Sequence, residues 1–212
     1  MDLHMTELEG DIIREILNIG LARAADSFAI VAQEKVLLEV PNLEIVSGSS
    51  ILEKVSELQA GHVVIQSNIQ GDFNGTTLMF FSGQHVQRLS RVCLRMQTTD
   101  SIAIDTMQES LLLEISNIIT GALVTQLANI LKARIYGAPP AHPQGDMGAA
   151  LRSLLHDNPM VQPLIFSVIT QFSDKENSVE LPLMIFFDHH TFEKIITIIR
   201  TYDFMNGPQF GS

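Results

Sequence analysis

Apolar residues first recur at helical spacing. Leu8, Ile12, Ile16, Ile19, Ala22, Ala25 and Ala29 fall every three or four positions, which predicts one long amphipathic helix over about 8–33. A β-branched stretch, Val36-Leu-Leu-Glu-Val40, follows and ends at Pro41. Residues 49–58 read as a short helix, with Ser49 or Ser50 as N-cap and Glu53 placed to close a capping box with Ser50. His62–Ile69 and Thr76–Phe81 flank Gly71-Asp-Phe-Asn-Gly75, the pattern of a β-hairpin. A helix over about 84–96 completes the series.

The same order then repeats. Residues 104–133 predict a second long helix, apolar at Leu112, Leu113, Ile115, Ile119, Leu123, Leu127, Ile130 and Leu131. Arg134-Ile-Tyr-Gly137 and Pro139-Pro140 follow, then a short helix near 146–156. Leu164–Phe172, the polar turn Ser173–Ser178 and Val179–Phe187 form a second hairpin, and a helix over about 191–201 closes it. The reading is an α+β fold: two duplicated, intertwined αβ repeats (about 8–97 and 104–202) in a single domain over 1–212. An antiparallel sheet, two long helices on an outer face and pseudo-twofold symmetry complete it. The boundary near 97–103 has no Gly/Ser-rich linker, so the halves should pack intimately.

Polar residues interrupt both long helices in the same way. Asp11, Glu15 and Asn18 in the first are matched, 99 residues later, by Ser110, Glu114 and Asn117 in the second. Steps of four and three put each trio on one helix stripe. In each copy 22 residues separate the Asn from a proline, Pro41 or Pro140. Glu is at home on a helix surface, but Asn inside a helix competes for local backbone bonds and calls for another reason. Glycines follow, Gly20 and Gly121, each costing about 1 kcal/mol in a helix interior, a cost that a flat surface for a close-approaching partner would justify. A stripe position also predicts that truncating either Asn costs little stability, within about 0.5 kcal/mol.

The residue types narrow the chemistry. A carboxylate and a carboxamide, with no His or Cys at ligand spacing, make a poor transition-metal site. No Ser/His/Asp or Cys/His arrangement is visible. A neutral carboxamide can orient a water with one donor and one acceptor, as attack on a phosphoryl group requires. A nearby Glu could hold a cation of a partner.

Composition removes other classes. The net charge is −11 with no Lys/Arg run, which argues against nucleic-acid binding. Apolar runs reach about six residues, short of the roughly 20 needed to span a bilayer, so no membrane segment is expected. The lone Cys93 points to a reduced, cytoplasmic compartment, and the N-terminus lacks the layout of a signal peptide. The His189-His190 pair has no third ligand nearby and reads as a turn or cap. Met residues, among them Met79, Met96, Met107 and Met184, read as core filler.

The doubled pattern [Asp/Ser]–x3–Glu–x2–Asn–x22–Pro resembles the signature of the CheC/CheX/FliY family of chemotaxis phosphatases, and two intact copies in one chain resemble the CheC branch. The resemblance implies an enzyme that hydrolyses the aspartyl phosphate of a CheY-like response regulator. Asn18 and Asn117 would orient the attacking water, and Glu15 and Glu114 would engage the receiver domain at its active-site Lys. It implies no cofactor of the protein's own, Mg2+ being held by the receiver. The alternatives are a non-catalytic module docking a receiver domain or a CheD-like deamidase, and, less favoured, a flagellar switch-type scaffold. The proline-richer segment Ala138-Pro-Pro-Ala-His-Pro143 leads us to expect two unequal sites.

Overall fold

The computed structural model describes residues 6–45, 48–59, 61–96, 106–143, 162–187 and 189–201. The expected boundary near 97–103 and the expected helix near 146–156 lie outside them.

Helix α1 (Glu7–Ala32) starts at a capping box: Thr6 accepts from the Glu9 backbone N–H, and the Glu9 carboxylate accepts from the Thr6 N–H. Strands β1 (Leu37–Glu39) and β2 (Leu43–Ile45) follow. The strand expected to end at Pro41 therefore resumes after it, and both pieces pair with the same partner strand. Helix α2 (Gly48–Gln59) begins before Ser49 and Ser50, so neither serine is its N-cap. The hairpin is β3 (His62–Gly71) and β4 (Gly75–Ser82), and α3 (Gly83–Cys93) is capped by Ser82 with His85 closing the box. The second series is α4 (Thr106–Leu131), β5 (Ile135–Gly137), β6 (Gln162–Gln171), a 3-10 turn (Lys175–Asn177), β7 (Val179–Phe187) and α5 (His189–Thr201). His189 and His190 open α5, and His190 is exposed. The two long helices end alike, in left-handed residues at Gln33 (φ 55°) and Lys132 (φ 48°).

The fold is α+β, as expected. The sheet is antiparallel, in the order β1-β6-β7-β4-β3-β5, with β2 also on β6. That order reads the same from both ends. The short strand after α1 pairs with the second series' hairpin, and the short strand after α4 pairs with the first series' hairpin. The hairpins meet at the centre, β4 against β7. Gly71, at φ +123°, lets β3 approach β5 closely: a Cβ there would stand 2.0 Å from the Arg134 carbonyl oxygen.

Helices α1 and α4 pack against each other and against one sheet face, where the main core gathers Leu17, Leu21, Phe28, Ile115, Ile119, Leu123 and Phe172. On the other face α2 covers a smaller cluster around Ile51, Val55, Phe80 and Met184. Helix α4 is long and apolar enough to cross a membrane, contrary to the expectation from run length, because isolated polar residues break its apolar runs without making it polar. In the fold 56% of that apolar window is buried inside the protein, as suits a core helix. Three apolar positions depart from the expected core. Leu8 and Ala22, assigned to the buried face of α1, are exposed, and so is Met107, read as core filler. Met79 and Met184 are buried as expected.

Candidate functional site

The chain leaves α1, turns at Gln33 and runs back along β1, so residue 40 arrives beside residue 18. The 22-residue interval between Asn and Pro is the length of that return. Asn18 grips the arriving backbone at both ends of its carboxamide: Oδ1 accepts from the Val40 N–H at 2.7 Å and Nδ2 donates to the Val40 carbonyl at 3.4 Å. Arg14, one turn earlier, donates to the Pro41 carbonyl (3.2 Å) and to the Asp11 carboxylate (2.8 Å). Asp11 and Glu15 are exposed, and Asn18 is half-buried. In the first copy Asp11, Arg14 and Asn18 thus form a clasp between the helix and the strand end, and Pro41 belongs to that clasp as a carbonyl acceptor.

The second copy has the same helix and a different clasp. Ser110 donates to the Thr106 carbonyl within its own helix at 2.9 Å. Position 113, equivalent to Arg14, is Leu, and position 139, equivalent to Val40, is Pro. A proline has no N–H, so the main bond of the first clasp has no counterpart here. The segment is held to β3 instead: the Ala138 N–H donates to the Asn68 carbonyl (2.7 Å), Ser67 donates to the Ala138 carbonyl (2.7 Å), and Ala141 bridges Gln66. Glu114 and Asn117 are exposed, and neither has a hydrogen-bond partner among the described residues. Among the described residues nothing occupies the Asn117 carboxamide, which leaves it available to a ligand.

Glu15 and Asn18 therefore share one surface stripe, and Glu114 and Asn117 another. The open cavity of about 430 Å³ behind Pro41 is lined by Asn42, Glu44, Lys54, Glu57 and Glu180 among others, and not by Glu15 or Asn18. A site on a helix surface fits a macromolecular partner better than a small substrate, which is ordinarily held in a concave pocket. Among the described residues no three His, Cys, Asp or Glu side chains stand close enough together to hold a metal ion. Burial pushes the Cys93 thiol up to about 12, so it stays protonated and is a poor nucleophile.

Two features were misjudged or missed from sequence. Gly20 does not present a flat surface to a partner: it is buried where α1 crosses α4, and a Cβ there would stand 3.0 Å from the Gln126 Cβ. Gly121 does face open space. The roles of Arg14 and Val40 were missed. The spacing of Asp11 and Arg14 signals an ion pair, but nothing local signals Val40.

Residues 107–142, which contain the whole second motif, match the model of the CheC-like family. The chain is 25% identical over 197 residues to the protein named CheY-P phosphatase CheC of Bacillus subtilis (strain 168), covering 91% of this chain and 94% of that one. The chain is thus similar to CheC-like proteins. Solved structures extend the likeness at the level of the fold. The chain matches Thermotoga maritima FliY with a TM-score of 0.72 at 16% identity, over 93% of this chain and 98% of that one. It matches FliM of H. pylori, from a complex with SpeE, with a TM-score of 0.64 at 9% identity, over 95% and 100%.

Proposed function

We propose that this protein hydrolyses the aspartyl phosphate of a CheY-like response regulator. The observation that carries the reading is the pair Glu114 and Asn117, exposed on one stripe of α4, with the Asn carboxamide unbonded among the described residues. The 25% identity to CheY-P phosphatase CheC over nearly the whole chain supports it. The receiver domain brings the phosphoryl group, Mg2+ and a Lys. Glu114 pairs with that Lys and sets the docking register. Asn117 accepts a hydrogen bond from a water and holds it in line with the phosphorus. The water oxygen bonds to phosphorus, the bond from phosphorus to the aspartyl oxygen breaks, inorganic phosphate and a free carboxylate result, and the water proton leaves to solvent. Positioning of this kind is worth on the order of 10- to 100-fold in rate, about 1.4 to 2.7 kcal/mol. Glu15 and Asn18 form a second site on α1, where the carboxamide must leave or share its bonds to Val40 before it can hold water. The first site is therefore the slower one. The protein acts in the cytoplasm, where CheY-like regulators work.

The test is phosphate release from phosphorylated CheY-like receivers, with and without this protein. Acceleration that the Asn18→Ala, Asn117→Ala double variant abolishes is the expected result. If the protein binds a receiver or a CheD-like deamidase and never accelerates release, it is a docking module, and the catalytic reading fails.

A further inference from the structure

Water-facing large apolar side chains are few among the described residues: Leu8, Ile30, Leu37, Met107 and Tyr136. Leu8 and Met107 are 99 residues apart, the interval that relates the two motifs. Each stands seven residues before the motif Glu, which is two helical turns and so the same stripe: Leu8, Asp11, Glu15, Asn18 and Met107, Ser110, Glu114, Asn117. Leu8 is 69% exposed and Met107 61%, on helices whose other Leu and Ile side chains, Ile30 apart, are mostly turned inward. Leu37 and Tyr136 also obey the interval, but they lie on the opposite side of their strands from the core positions Leu38 and Ile135, away from the stripes.

Resting on the function proposed above, we infer that Leu8 and Met107 are apolar anchors that set affinity for the receiver domain at each site. The anchor lies about 10 Å along the helix from the Glu and about 15 Å from the Asn, at 1.5 Å per residue. One receiver domain, about 30 Å across, covers that whole span. Carboxylates lie near each anchor: Glu7 and Asp11, the latter paired with Arg14, around Leu8, and Glu109, paired with His142, two residues after Met107. The matching surface on the receiver is an apolar spot rimmed by basic side chains, on the side of its phosphorylation site. Burying an exposed apolar side chain against the partner adds affinity that salt does not screen, while the exposed charges set orientation and on-rate. A second copy of this chain is a poorer occupant. A stable dimer would have to bury roughly 1,000 Å², far more than one apolar side chain per stripe supplies, whereas a receiver released after each turnover needs only a small, transient contact.

The experiment compares wild type with Leu8→Gln, Met107→Gln, whose side chains keep length and helix propensity but lose apolarity. Leu8→Met, Met107→Leu serves as the conservative control. Stimulated phosphate release is measured against receiver concentration, and affinity for a beryllofluoride-loaded receiver by calorimetry. The Gln variant should raise KM and Kd about tenfold, equivalent to about 1.4 kcal/mol, with kcat at saturating receiver within twofold and the ratio persisting at high salt. The conservative variant should match wild type. Unchanged KM and Kd in the Gln variant overturn the inference. So does a loss of self-association in sedimentation with receiver affinity unchanged, which would assign the anchors to a dimer. If wild type binds receiver but releases no phosphate, the catalytic reading falls and the Kd ratio still decides the anchors. If wild type binds no receiver, both fall.

Discussion

The two asparagines, alike in sequence context, should respond oppositely to truncation. Asn18→Ala removes both bonds to Val40 and leaves the N–H of a residue only 2% exposed without its acceptor. An unpaired buried donor costs about 1–3 kcal/mol. Alanine returns roughly 0.7 kcal/mol of helix propensity, so the net loss is about 1–2 kcal/mol. At roughly 2–4 °C per kcal/mol for a chain of this size, the melting temperature should fall by about 2–8 °C. Asn117→Ala breaks no bond among the described residues and gains the same propensity, so its melting temperature should stay level or rise by a degree or two. Activity should run the other way. On the proposed mechanism Asn117→Ala should remove most of the stimulated phosphate release, because its carboxamide, unbonded among the described residues, does most of the work there, and Asn18→Ala should keep most of it. Scanning calorimetry and steady-state phosphate release on the two single variants give both readings from the same preparations. If the two melt within a degree of each other, or if Asn18→Ala is the variant that loses activity, the clasp does not distinguish the sites.

Three further outcomes follow from particular contacts. Pro139→Val restores an N–H where the first copy has Val40, so it should let Asn117 form the same clasp and lower release from the second site several-fold, read in an Asn18→Ala background. Gly121→Ala should stabilise by about 0.5–1 kcal/mol, since a Cβ there meets nothing, while Gly20→Ala should destabilise by pushing α1 off Gln126 and the Ala122 carbonyl; urea titrations of both separate them. The Arg200 guanidinium beside Glu9 holds its carboxyl below the ordinary value, outweighing burial, with the Thr6 hydrogen bonds adding to the effect. A lowered folded-state value stabilises above the unfolded carboxyl's range and is lost as pH falls through the folded one. Glu9→Gln should therefore be less stable than wild type at pH 7, with the gap closing below about pH 4 on a pH-dependent melting series.

What the sequence disclosed was local or periodic. Helical spacing located α1 and α4 to within two residues at each end, and the motif residues came out on their surfaces as that spacing required. Alternation and turn residues located both hairpins. What it hid was action at a distance. Asn18 meets Val40 only because the chain doubles back through 22 residues, and a side chain bonded to backbone leaves no periodic trace. Gly20 was read as partner-facing because its spacing cannot say which neighbour fills the space above it, and α4 does. Leu8 and Met107 were counted as core because apolarity alone does not give the face. Comparing the exposed positions across the 99-residue interval would have paired them, but exposure is a property of the packed molecule. The repeats were expected to intertwine, and the exchange of short strands between hairpins is how they do so; which strands trade was not legible, since β1 and β6 lie more than a hundred residues apart.

That exchange carries an evolutionary corollary. Half of this chain on its own would lack the strand that completes its hairpin's edge, and would offer its own spare strand to a stranger. A single-unit ancestor would have had to live as a pair of identical subunits trading strands, with every substitution written into both sites at once. Joining the two units in one polypeptide kept the trade and ended that coupling. Val40 in one half and Pro139 in the other are a difference that no identical pair could hold. Holding both units in one chain lets the molecule keep one carboxamide tethered as a strut while its twin, among the described residues, stays unbonded.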